Sequence, residues 1–125
     1  MLQLTKAEEQ IMQILWGLGE GSVQQILEYT PYPRPARTTV ATILSILENK
    51  NFADHFSRGK TNVYSPVVSK EEYSKTQLSL MMKNYFNNSF ASLASFFAKE
   101  NNMTLDELNE MLEETRRELE DGNMK

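Results

Sequence analysis

The sequence predicts a mainly α-helical chain with one small β hairpin: three helices and the hairpin first, then three more helices. Three observations predict it. Apolar residues recur at helical spacing in stretches separated by glycine-, proline- or asparagine-rich breaks. Four stretches open with a hydroxyl residue followed three positions later by Glu or Gln: Thr5/Glu8, Ser22/Gln25, Ser69/Glu72 and Thr104/Glu107. That spacing is a capping box, which satisfies the free N–H groups of a helix start. Strand-like alternation is confined to residues 52–57 and 62–65, on either side of Arg58-Gly59-Lys60-Thr61.

Each element follows from local chemistry. Ala7, Ile11, Ile14, Leu15 and Leu18 give the first helix its apolar stripe, and Gly17, Gly19 and Gly21 end it. Val23, Ile26 and Leu27 form the inner face of a short second helix. Thr30-Pro31-Tyr32-Pro33-Arg34-Pro35 carries prolines at alternate positions, so no helix runs through it and it reads as a rigid connection. The third helix is expected over about residues 36–49. Advancing about 100° per residue from Val40 places Ile43, Leu44 and Leu47 within about 60° of it as the buried stripe. Thr38, Thr42, Ser45 and Asn49 fall on the opposite face. Asn49-Lys50-Asn51 suits a C-cap, because Asn tolerates the left-handed conformation. The hairpin is expected to pack its Phe and Tyr faces on the helices, since a lone two-stranded hairpin is marginal.

Three helices and a hairpin define a winged helix-turn-helix domain, expected over residues 1–68. A merely solvated helix face more often carries Glu and Lys. The outward face of the third helix is instead small, uncharged and able to hydrogen-bond, which suits the major groove of double-stranded DNA. Arg37, Thr38, Thr39, Thr42 and Ser45 are the candidate residues of the recognition helix. Arg58 and Lys60 at the hairpin tip are candidate wing contacts to phosphates or the minor groove. Arg34 and Lys50 flank the helix as further phosphate contacts, and Ser22 adds one at the start of the second helix.

The second half changes character. Helices are expected from Ser69 to about Phe86, around Phe90–Phe97, and from Thr104 onward, forming a three-helix dimerisation domain over residues 69–125. Tyr73, Leu80, Phe86, Phe90, Leu93, Phe97, Leu108, Met111 and Leu112 are its candidate interface residues. Three helices in so short a stretch cannot cover that much apolar surface alone, so a twofold interface between two copies is expected. A homodimer also multiplies modest half-site binding on a pseudo-palindromic operator.

Composition narrows the alternatives. The formal net charge is -4, but residues 1–68 balance six Lys/Arg against six Asp/Glu, and all the excess acid lies beyond them. Four of the six early cations lie between Arg34 and Arg58, a local patch able to steer DNA. The charge and the uncharged helix face keep one alternative open: a winged-helix module that binds protein and has little affinity for DNA. The chain has no cysteine and one histidine, His55. Thiolate and multi-histidine metal centres are thereby excluded, no metal site and no cofactor are expected, and a cytoplasmic setting fits. No segment approaches 18 consecutive apolar residues, and the N-terminus lacks a signal-peptide pattern, so no membrane insertion is expected. No nucleophile, base and orienting group come together, so no enzyme is expected. Adjacent acids such as Glu8/Glu9 and Glu71/Glu72 favour helix dipoles instead.

The chain resembles the penicillinase-repressor family, the BlaI/MecI-like transcriptional repressors. The resemblance rests on Leu4-Thr5-Lys6-Ala7-Glu8 with Ile11-Met12 and Leu15-Trp16, then Ser22-Val23 and Ile26, and Thr38-Thr39-Val40 with Thr42, Leu44, Leu47 and Lys50. It continues through Arg58-Gly59-Lys60, Tyr64-Ser65-Pro66, Glu72, Phe86, Ser89, Leu93 and Leu105–Leu108. It implies a homodimeric repressor on palindromic operators. In β-lactam-responsive members it also implies an upstream membrane sensor-protease and cleavage at an Asn-Phe bond in the fifth helix. The matching position here is Phe96-Phe97, without the asparagine, and the cysteine motif of copper-responsive relatives is missing. Asn51 stands where glycine is usual, and Ser45 where many members have arginine.

Overall fold

A computed structural model describes residues 3–123. Its order is α1 (Lys6–Leu18), β1 (Gly21–Ser22), α2 (Val23–Glu28), α3 (Arg37–Asn49), β2 (Ala53–Arg58), β3 (Thr61–Pro66), α4 (Lys70–Phe86), α5 (Phe90–Glu100) and α6 (Leu105–Asn123). The architecture is mainly helical with a small open sheet, as the sequence predicts, but the sheet has three antiparallel strands in the order β1-β3-β2. The unforeseen strand is the two-residue β1, which sets Gly21 opposite Tyr64 and Ser22 opposite Val63. It ties the start of α2 to the hairpin and relieves the marginality of an isolated two-stranded unit.

The helix ends behave as their sequences dictate. Thr5 Oγ1 accepts from the Glu8 N–H at 3.2 Å, and Glu8 Oε1 accepts from the Thr5 N–H at 3.1 Å. The same reciprocal boxes hold at Ser22/Gln25 and Thr104/Glu107. At Ser69 the Glu72 N–H donates to the hydroxyl, and the hydroxyl faces the Glu72 carboxylate. Gly17 stays helical, and α1 ends at Gly19 with φ 81°. Asn51 takes φ 62° after α3, so the left-handed turn expected there is present.

Two compact units divide the chain, Met1–Gln77 and Leu78–Lys125. The first holds the core: Ile11, Met12 and Leu15 of α1, Ile26 of α2, Val40, Leu44 and Leu47 of α3, then Phe52, Ala53 and Tyr64. The stripe of α3 is as predicted. That of α1 runs one residue aside, burying Met12 and leaving Ala7 exposed. Phe52 is buried but Phe56 is exposed: it lies on β2, an edge strand of the sheet, while Val63 opposite it on the central strand stays buried. Tyr73, expected at the dimerisation face, belongs to this core as well. It packs on Trp16 at 5.8 Å and edge-on to Phe52 at 5.6 Å, and its hydroxyl accepts from the Leu4 N–H. A ring so enclosed offers no surface to a second chain. Trp16 Nε1 donates to the Val68 carbonyl at 2.9 Å, fastening the end of the sheet to α1.

An ion pair joins the first turn of α1 to the residue after α3. Lys50 Nζ lies 2.6 Å from Glu8 Oε1, and their side chains are 24% and 8% exposed. Burial pushes the Glu8 carboxyl up, but hydrogen bonds from Lys50 and Thr5 and the ammonium charge outweigh it, leaving Glu8 below its ordinary value. A depressed carboxylate stabilises the fold above its unfolded pKa, and that contribution is lost as pH falls through the folded value. Removing the cation strands a buried charge, which costs about 3–5 kcal/mol when fully buried and less where, as here, one partner is partly solvated. Lys50→Met is therefore expected to destabilise by about 2–3 kcal/mol near neutrality. Urea unfolding at about pH 7 and about pH 3 should show the difference shrinking in acid, where protonated Glu8 no longer needs a cation.

In the second unit, α5 is capped by Ser89, whose hydroxyl accepts from the Ser92 N–H at 3.1 Å. Phe86 and Phe96 meet edge-on at 5.7 Å. Asn87 and Asn88 make the turn between α4 and α5 with φ of 50° and 59°.

Candidate nucleic-acid interface

The burial of Val40, Leu44 and Leu47 fixes the rotation of α3, so Thr38, Thr42, Ser45 and Asn49 stand exposed along its outer face. No charged side chain interrupts that row. The Thr42 hydroxyl donates to the Thr38 carbonyl at 2.9 Å. Its proton is thus directed inward, and what it presents outward is a methyl group and an acceptor oxygen, a suitable surface for a thymine methyl or a base amino group. Thr39 lies toward the other flank, where it lines a groove with Pro31, Tyr32, Pro33, Pro35 and Ile43.

At the N-terminal end of α3 a shallow cleft of about 220 Å³ is lined by Ser22, Val23, Arg37, Lys60, Thr61 and Asn62. Arg37 and Lys60, 23 positions apart in sequence, share its wall. Neither is in an ion pair among the described residues, so both cations can meet a phosphate. Gly59 turns the hairpin with φ 65°, which carries Lys60 to that place.

The other expected contacts are placed differently. Lys50 points to Glu8, so its charge serves the fold and is withdrawn from the backbone-contact set. Ser22 spends its N–H and a hydroxyl lone pair on the box with Gln25, and its place in the cleft is that of a wall. Arg34 donates to the Glu28 carbonyl at 3.0 Å and lies 4.6 Å over the Tyr32 ring, a fixed cation at the mouth of the proline segment. Arg58 pairs with Glu20 at 3.0 Å, with its guanidinium 5.2 Å from the Phe56 ring. Both members of that pair are well exposed, so it is weak and a phosphate can replace Glu20. The sequence reading missed this pair, the Glu8–Lys50 bridge and the joining of Arg37 to Lys60. Lys50 and Arg58 were visible only as cations, and nothing local assigns them acidic partners.

A small winged domain with an uncharged, exposed recognition helix and a cationic cleft beside its wing defines a winged-helix DNA-binding regulator of transcription. The sequence pattern of the penicillinase repressor family matches residues 4–117, and the chain belongs to that family, a family of non-catalytic transcriptional regulators. No curated protein matches the sequence significantly. Among solved structures, the organohalide-sensing transcriptional regulator RdhR-CbdbA1625 in its 2,4-dichlorophenol-bound form is similar at 15% identity and a TM-score of 0.49, over 96% of this chain and 64% of that one. This chain thus spans less than two thirds of that regulator's length. The Hop2-Mnd1 complex of Giardia lamblia is similar at 16% identity and a TM-score of 0.37, over 94% of this chain and 80% of that chain.

Proposed function

We propose that this regulator is a homodimeric repressor. In this reading residues 1–68 form the DNA-binding domain and residues 69–125 the dimerisation domain. Two copies of α3 enter successive major grooves of a pseudo-palindromic operator. The observation that carries the reading is the exposed, uncharged face of Thr38, Thr42, Ser45 and Asn49 beside the Arg37–Lys60 cleft.

Apolar exposure supports the dimer. Phe90 is 62% exposed, and Phe97, Met111 and Leu112 are also exposed, while Leu80, Phe86, Leu93 and Leu108 are only half-buried. Exposed large apolar side chains in this number favour association, and a second copy is the simplest cover. The β-lactam-responsive members of the family suggest an upstream membrane sensor-protease as partner, with a cytoplasmic repressor as its target, and that arrangement is carried over to this chain. Cleavage at Phe96-Phe97 is not part of the proposal, because the asparagine is absent. Among the described residues no helix is long and apolar enough to cross a membrane.

The test is binding to a fluorescent duplex taken from just upstream of the protein's own gene, titrated with salt beside a scrambled duplex. Tight, salt-steep binding with preference for the native sequence is expected. Thr42→Ala should change preference at one base position by about 1 kcal/mol, leaving affinity for scrambled DNA unchanged. A stable dimer that binds no duplex at moderate salt would overturn the repressor reading in favour of the protein-binding module.

A further inference from the structure

A cluster of metal-ligating side chains includes none of the residues of the exposed α3 row or of the Arg37–Lys60 cleft. Glu48, in the last turn of α3, and Asp54 and His55, at the start of β2, present ligand atoms that all lie within 4.8 Å of one another. His55 Nδ1 is already 2.6 Å from Glu48 Oε1. The imidazole is steadied by the Tyr64 ring at 5.2 Å, which stands opposite it across the sheet. The Asp54 carboxylate is oriented by the His55 N–H, which donates to its Oδ1 at 2.8 Å.

The charge of this corner is unbalanced. The last turn of α3 holds no basic residue. Lys50, the nearest cation in sequence, is committed to Glu8. Among the described residues Asp54 has no ion-pair partner and Glu48 has only His55. Glu48 therefore stands at the negative end of the α3 dipole, where a second carboxylate and one imidazole meet it.

We propose that Glu48, Asp54 and His55 bind one divalent transition-metal ion of the zinc class, fastening the end of the recognition helix to the base of the wing. Two carboxylates and one imidazole suit a borderline-hard ion and, with no thiolate, disfavour cuprous copper. Ligands at about 2.0–2.2 Å from such an ion stand roughly 3.3–3.6 Å apart in a tetrahedral arrangement. The present spacing reaches that by small side-chain rotations, with Glu48 and His55 parting slightly to admit the ion. Exposed side chains leave the remaining positions to water, so the site is accessible without opening the fold. A lone histidine rules out a multi-histidine centre; it does not rule out this mixed one.

The experiment is a zinc titration of the chelator-stripped full chain against a chromogenic competitor, with hydrogen exchange of the wing amides followed in parallel. One ion per chain is expected, with His55→Ala and Glu48→Gln each weakening it about tenfold or more. Zinc should slow exchange in residues 53–66 of the unsubstituted chain and leave it unchanged in His55→Gln. Zinc bound equally well by all three substituted chains, or no competition with the chelator by the unsubstituted one, would overturn the proposal. The readout involves no DNA, so it stands or fails separately from the operator reading.

Discussion

Phe52→Ala is expected to destabilise the winged domain by about 3–5 kcal/mol. Phe52 is 1% exposed and sits where four elements converge. Its N–H donates to the Leu47 carbonyl at 2.9 Å, closing the end of α3, and its own carbonyl accepts from Val67 N–H at 2.8 Å, closing the hairpin. The ring fills the space below these bonds and meets Tyr73 of α4 edge-on. Truncation keeps the backbone bonds but empties the space beneath them, and a close-packed core relaxes only partly around such a void. The loss is a large fraction of the 5–15 kcal/mol typical of a small domain. Trp16, the single tryptophan, touches Tyr73 and reports the transition by fluorescence. Urea midpoints for the two chains give the difference directly. A loss below about 1 kcal/mol would mean that Phe52 is not the centre of this core. Phe56→Ala, on the exposed outer part of the hairpin, should change the midpoint little.

Replacing Arg37 and Lys60 together by glutamine is expected to weaken binding to every duplex and to lower the salt slope. Each phosphate contact releases about 0.9 counterion from B-DNA, so the slope of log K against log salt should fall by about 0.9 for either substitution and about 1.8 for both. The two side chains are exposed and outside any described ion pair, so stability should not move. Sequence preference should also hold, because phosphate contacts position the protein without reading bases. Fluorescence anisotropy at several salt concentrations measures both quantities. An unchanged slope in the double variant would remove the cleft from the interface. Lys50→Met makes a useful contrast: it should lower stability and leave the salt slope alone while the protein stays folded.

Short-range chemistry made the helices and the recognition face legible. The capping boxes at Thr5, Ser22 and Thr104 lie within three residues of their partners and form as read. The outward row of α3 follows from its buried stripe by rotation alone. What was not legible depends on chain segments that only the fold unites. A two-residue strand such as β1 carries no alternation to detect. Glu8 and Lys50 are 42 positions apart, so each was visible only as a helix-start acid and a helix-end cation. Tyr73 shares the helical look of its neighbours, and nothing local reveals that the first turns of α4 pack on Trp16 and Phe52. Phe52 and Phe56 have the same strand parity, yet only Phe52 is buried, because Phe56 lies on β2, an edge strand of the sheet.

The two sides of α3 differ in how freely they can diverge. Thr38, Thr42, Ser45 and Asn49 are exposed and outside the core, so a lineage can rewrite its operator there one substitution at a time with little thermodynamic penalty. Lys50, one position beyond the helix, has no such latitude, because its loss exposes the chain to the unpaired Glu8. A segment grafted from a relative to transplant sequence preference should therefore stop at Asn49, and positions 8 and 50 should be exchanged only as a pair.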